Sequence, residues 1–293
     1  MKRSFLFLLL WLFGASLASA QFAQKVARRA VFPGLAKLSP PERALADTLL
    51  RLALDQEGLY SLMADLKPIS TVRQLTYPLA KDSTMRDGER SVAHDTAALA
   101  ELARYQKVLA ALSFGDLQFV MVPFRSVYKP KERNLQILVC RRDLLDRAIR
   151  ENQAFFGQWG FVPGTPPEVM LTAIEFEAKH DRYRAYGYLF GYPENAVDFF
   201  VGASQSEEKT KQFVKREFVD VPVYVGRKGH FTYAVPQGYA RTPADGTIQQ
   251  AASEVLEVYR QWRAKYAKPQ GLAASQLLTA YYAQPPAKRK RVR

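Results

Sequence analysis

The chain has 293 residues, with 42 Lys or Arg against 28 Asp or Glu, a formal charge of +14 and one cysteine. That length suits one large domain or two small ones and can bury a core without staples. A single cysteine excludes an internal disulfide, so stability must come from packing. The positive balance favours anionic partners through its long-range field, without saying which anion.

Residues 1–20 have the pattern of an export signal. Lys2 and Arg3 precede an unbroken apolar run over residues 5–13, and Ala18-Ser19-Ala20 forms a small-residue cleavage site. The run is far short of the ~20 apolar residues that a membrane helix needs. The only cysteine, Cys140, is far from the cleavage site and cannot carry a lipid there. Asn134, Asn152 and Asn195 all lack the N-x-S/T context. The expectation is a bacterial periplasmic or secreted protein, exported through a cleaved signal peptide.

Residues 21–38 are basic and weakly patterned, and are expected to form an N-terminal arm. Ser39-Pro40-Pro41-Glu42 is a capping box with proline at the first helical position, and Leu45, Leu49 and Leu52 continue it at helical spacing. A short helix is expected over residues 59–66, stopping before Pro68. Residues 67–90 read as a long loop with a short strand near residues 72–77. A helix follows over residues 95–112, then strands over 117–124 and 135–140. Residues 142–156 are patterned as a helix. Pro166-Pro167 opens another helix, which runs to about Lys179.

Residues 186–190 read as a short buried strand, ended by Gly191, with Pro193 opening the next helix. Val219, Val221, Val223 and Val225 alternate onto one strand face, Gly226-Arg227-Lys228-Gly229 makes the turn, and Phe231, Tyr233 and Val235 return. The last long helix aligns Ile248, Ala252, Val255, Tyr259, Trp262 and Tyr266. A short helix over residues 272–282 precedes Pro285-Pro286 and a basic tail. The predicted fold is α+β: a mixed, largely antiparallel sheet of about four to six strands with about seven helices. Residues 39–283 would form one globular domain, and 284–293 a disordered tail.

Three constellations can carry chemistry. Glu177 and His180 are three apart at a helix end, where a carboxylate and an imidazole suit acid–base work. A di-iron Glu-x-x-His site needs a second such motif, which His94 and His230 do not supply. No metal or cofactor is assigned. A structural reading competes: the helix frays near Ala178 and the pair is solvated. Gly191 and Tyr192 lie at an expected strand-to-helix turn, where free amides can hold an anion. The competing reading there is an ordinary turn. The third constellation is distributed: Arg125, Tyr128, Lys129, Lys131 and Arg133 in one loop, and Arg227 and Lys228 at the later hairpin tip. If the two tips share a sheet edge, they form a basic face for an anionic polymer, an anionic membrane surface or a small anion. The competing reading is a solvated charged surface.

The functional expectation is a non-catalytic exported protein that binds an anionic envelope or extracellular component. The alternative is an envelope or extracellular hydrolase centred on Glu177 and His180. Cys140 is expected in the core as a small hydrophobe.

Overall fold

The structure is a computed structural model that describes residues 31–78, 96–125, 132–269 and 271–284. Residues 1–30, expected as an export signal and part of an arm, Tyr128, Lys129, Lys131 and residues 285–293 lie outside the described residues. The side chains of Arg227 and Lys228 do as well.

Helix α1 (Pro40–Asp55) starts on the expected box, with the Ser39 N–H donating to the Glu42 carboxylate at 2.7 Å. Its apolar stripe buries Leu49, Leu50, Ala53 and Leu54. Residues 31–38, expected as part of a loose arm, are instead packed. Phe32 and Leu38 are buried, and Phe32 meets the Phe114 ring edge-on at 4.6 Å. The single buried turn of α2 (Leu59–Leu62) leads to β1 (Ile69–Pro78), where a mostly irregular loop was expected. A register shift between Thr71 and Arg73 explains why this strand was hidden. Val72 is the extra residue there, and with Ile69 in one core and Val72 and Leu75 at the other, the apolar residues fall three apart in sequence and lack the alternation that marks a strand.

After α3 (Thr96–Leu112), β2 (Leu117–Pro123) and β3 (Glu132–Arg141) complete an antiparallel sheet in the order β1-β3-β2. Its side chains alternate between two cores. Phe119, Ile137 and Val139 join a larger core with α1 and α3, while Val120, Val122, Leu138 and Cys140 join a smaller one on the opposite face. The smaller core is closed by α4 (Arg142–Glu151), α5 (Gln153–Phe156), α6 (Pro167–Phe176) and α7 (Lys179–Leu189). The predicted helix over 142–156 breaks at Asn152, and the one from Pro167 ends at Phe176, three residues early. Residues 186–190, expected as a strand, are helical up to Leu189. Tyr186 and Phe190 stack at i,i+4 spacing, a contact that a helix provides and a strand cannot.

Helix α8 (Glu194–Thr210) leads to a ribbon of β4 (Arg216–Val223) and β5 (Gly226–Pro236). The hairpin turn falls on Tyr224-Val225, not on residues 226–229. Val223 pairs with Gly226 and Val221 with Phe231, so Arg227, Lys228 and Gly229 sit in a register shift. The Val225 N–H donates to the Asp55 carbonyl at 3.1 Å, and its side chain is exposed. Helix α9 (Pro243–Tyr266), the short strands β6 (Ala267–Lys268) and β7 (Gly271–Leu272), and α10 (Ala274–Ala283) finish the described fold.

The class is α+β, as expected, with ten α-helices among the described residues. The single sheet of four to six strands is not formed. The strands instead divide into sheets of three, two and two. The β4–β5 ribbon stands as a separate sheet whose inner face packs on helices. Tyr60 of α2 packs on Phe231 and donates to the Pro222 carbonyl, and Val255 and Tyr259 of α9 share the same core. No described helix is long and apolar enough to cross a membrane.

Candidate ligand-binding groove

Helices α7 and α8 pack closely because Gly187 has no side chain: a Cβ there would stand 2.7 Å from a Val197 methyl. The chain reverses through Gly191, which holds φ 72° and would place a Cβ 2.8 Å from the Leu66 carbonyl. Glycine is the residue that tolerates this left-handed cap. The tight reversal lines up a ladder of rings. Tyr186 stacks on Phe190, Phe190 on Tyr192, and Tyr192 on Phe231, with centroids 5.7–6.1 Å apart and planes within 22–27°.

Behind the ladder lies Lys67, fully buried. Its ammonium stands 4.0 Å from the Phe231 centroid, 4.9 Å from Phe190 and 5.3 Å from Tyr192, and donates to Glu57 Oε2 at 2.7 Å. Glu57 Oε1 accepts the Thr71 N–H at 2.6 Å. Ser61 and Ser70 close the network, with their hydroxyls 2.8 Å apart and bonded to the Lys67 and Glu57 carbonyls. Burial pushes the Lys67 pKa down, and the Glu57 carboxylate pulls it back. The carboxylate and the ring faces are what allow a charge to sit here.

In front of the ladder, between the α7–α8 hairpin and the outer face of the β4–β5 ribbon, lies a groove of about 290 Å³. Its walls are rings: Tyr183, Tyr186, Phe190, Tyr192, Phe200, Phe218 and Tyr233. Two of the hydroxyls are turned away to carboxylates. Tyr186 donates to Glu175 at 3.0 Å and Tyr233 donates to Asp245. The groove therefore presents ring faces, with Phe218 58% exposed at its rim. Phe213 lies near the rim, 71% exposed, with the Arg216 guanidinium 4.5 Å from its ring. The neighbouring cations are balanced: Arg216 pairs with Glu207, Arg184 with Asp198, and Lys179 with Glu208.

The residues singled out from sequence are placed as follows. Glu177 is the C-cap of α6, and His180 lies in the first turn of α7 with its Nε2 3.5 Å from Glu208 Oε2. The two do not hydrogen-bond each other among the described residues. Because α6 ends early, Glu175 takes the buried position. It accepts the Tyr186 hydroxyl and the Arg125 N–H, with Arg182 3.6 Å away. Arg125 donates to the Glu177 carbonyl at 2.7 Å and so caps α6, while Arg133 donates to the Phe124 carbonyl at 3.1 Å. The strands that flank the two basic segments belong to different sheets.

Gly191 and Tyr192 lie between two helices, not after a strand, and border a separate cleft of about 420 Å³ that carries Asp65, Glu151 and Glu194 against Arg147. Cys140 is buried as expected, and burial pushes its thiol pKa well above the ordinary value. No group of three His, Cys, Asp or Glu among the described residues is placed to hold a metal ion. Sequence reasoning missed Lys67 and Glu57. The available signal was a lysine set between Leu66, Pro68 and Ile69, where a solvated charge is out of place.

The geometry defines an α+β protein with an aromatic groove. No family model, curated protein or solved structure matches the chain.

Proposed function

We propose that this protein is an exported, non-catalytic binding protein for an anionic amphiphile of the envelope or surroundings, whose apolar part lies in the ring-walled groove. The observation that carries the reading is the groove itself: seven aromatic rings in its walls, with two of their hydroxyls committed to buried carboxylates. Such a surface rewards apolar contact, and its volume is near the lower limit for small-molecule sites. The formal charge of +14, which becomes +12 when Lys2 and Arg3 leave with residues 1–20, supplies the preference for an anion through the long-range field. Export rests on residues 1–20 and predicts a mature chain that begins at Gln21, which N-terminal sequencing of the secreted product would check.

Calorimetric titration with dodecanoate, against the neutral detergent octyl glucoside, tests the binding reading. Dodecanoate should bind more tightly, and the difference should shrink as salt rises. Phe218→Ala and Phe200→Ala should each weaken dodecanoate by about tenfold, the effect of losing part of a buried ring contact. Equal binding by the wild type and both variants would remove the groove from the account.

A further inference from the structure

Between α8 and β4 the chain runs without regular structure over residues 211–215. Lys211 holds φ 59°, the left-handed cap more usual for glycine, and turns the chain out of α8. The stretch is braced. The Lys211 N–H donates to the Glu207 carbonyl at 2.9 Å, the Val214 N–H to the Glu207 carboxylate at 3.0 Å and the Gln212 N–H to Thr210 Oγ1 at 3.2 Å. Yet this fixed loop holds Phe213 outward, as the most exposed large apolar side chain among the described residues. A ring presented in this way offers apolar contact to something outside the fold.

Phe213 adjoins the groove. The Arg216 guanidinium lies 4.5 Å from its ring and 5.9 Å from that of Phe200, a groove wall. Phe218, the exposed wall, follows two residues later. The five carboxylates between residues 198 and 220 are all engaged. Glu207 pairs with Arg216, Asp198 with Arg184, and Glu208 with Lys179 at 2.8 Å, with the Lys211 charge also acting on it. Glu217 accepts the Gly238 N–H at 3.0 Å, and Asp220 accepts the Thr232 hydroxyl. The first turn of α7 sets Lys179 and Arg182 5.7 and 5.8 Å from the Tyr183 ring, with Asp181 between them in sequence. Lys209, Lys211 and Lys215 are exposed and form no ion pair among the described residues. The lip of the groove therefore interleaves exposed rings with an excess of ammonium groups.

We propose that this lip docks on the surface of an anionic phospholipid bilayer, the place from which the groove collects its amphiphile. The inference rests on the binding reading for the ligand and adds the surface on which the protein meets it. Phe213 and Phe218 enter among the headgroups, while flexible lysine stems let the ammoniums reach lipid phosphates. A neutral bilayer offers the rings the same interior and offers the lysines nothing, so the charge excess selects anionic lipid.

The probe is Phe213→Trp in the exported protein, mixed with vesicles of phosphatidylcholine and phosphatidylglycerol in equal parts, with or without bromine on the acyl chains. Bromine should quench the emission that the variant adds to the wild type, a signal that attraction elsewhere on a basic chain does not produce. Affinity read from this quenching should fall about fivefold in each of Lys211→Gln and Lys215→Gln, and at least about tenfold on phosphatidylcholine alone. Absence of quenching beyond the wild type, or equal binding to neutral vesicles, would overturn the proposal. So would a dimer of the chain alone that Phe213→Ala dissolves, because the ring would then serve a second copy. Phe213 is not a groove wall, so Phe213→Ala should leave the dodecanoate titration within about twofold of the wild type. Quenching without dodecanoate binding would uphold the docking and sink the groove reading; dodecanoate binding without quenching would do the reverse.

Discussion

Replacing Lys67 with methionine removes a charge from the interior and keeps most of the side-chain volume. The variant leaves the Glu57 carboxylate, 5% exposed, with the Thr71 N–H as its remaining strong donor. It also withdraws the ammonium from three rings at 4.0–5.3 Å. Breaking a buried pair by deleting one partner costs about 3–5 kcal/mol, because the other charge is stranded. Most of that cost belongs to Glu57, so it should be recoverable. Glu57→Gln in the Lys67→Met background removes the stranded charge and keeps an acceptor for Thr71. The double variant should lie within about 2 kcal/mol of the wild type, since apolar replacement of a buried pair is often close to neutral. Urea unfolding followed by near-ultraviolet circular dichroism measures both, with unchanged slopes required for the comparison. A Lys67→Met cost below about 1 kcal/mol, or a double variant weaker than the single, would refute the idea that the pair and the ring cage depend on each other.

Gly187→Ala sets two effects against each other. Alanine favours a helix interior by about 1 kcal/mol, while its Cβ would stand 2.7 and 3.0 Å from the Val197 methyls, an overpacking worth about 1–3 kcal/mol. Net destabilisation is expected, with recovery in Gly187→Ala/Val197→Ala; a more stable single variant would show that the helix pair has room. Glu42 reports on acid. The Lys107 ammonium and then the Ser39 N–H hold its pKa down from 4.5 to about 2. Its ionised form therefore supports the fold above pH 4.5, and that support is lost as pH falls from 4.5 through 2. Urea midpoints at pH 5 and pH 3 should fall less in Glu42→Gln than in the wild type, and parallel losses would contradict this.

The sequence carried most of the local structure. The Ser39–Glu42 box starts α1 because a hydroxyl, a proline and a carboxylate in that order meet the needs of free helix amides wherever the chain goes next. The valine alternation of β4 identified a strand for the same kind of reason. The errors arose where tertiary contact overrides pattern. The register shift in β1 disguised a ten-residue strand. The alternating aromatic run before Gly191 resembled a strand, although its rings stack along a helix face. The early end of α6 moved the inward carboxylate from Glu177 to Glu175.

Of the groove, the sequence singled out Tyr192 but assigned it to an anion-binding turn. Tyr183, Phe200, Phe218 and Tyr233 could not be grouped from spacing, since they come from three separate stretches of chain that only the packing of α7, α8 and the ribbon brings together. What the sequence determined by itself was composition and short-range preference: one cysteine and no internal disulfide, a charge of +14 and the helix caps. Counts need no geometry, and a cap depends on residues at most a few positions apart. Only the tertiary structure decided that the strands divide into separate sheets, that Lys67 is buried among rings, and that a groove forms in front of them. These depend on which distant faces exclude water together, and no local spacing records that.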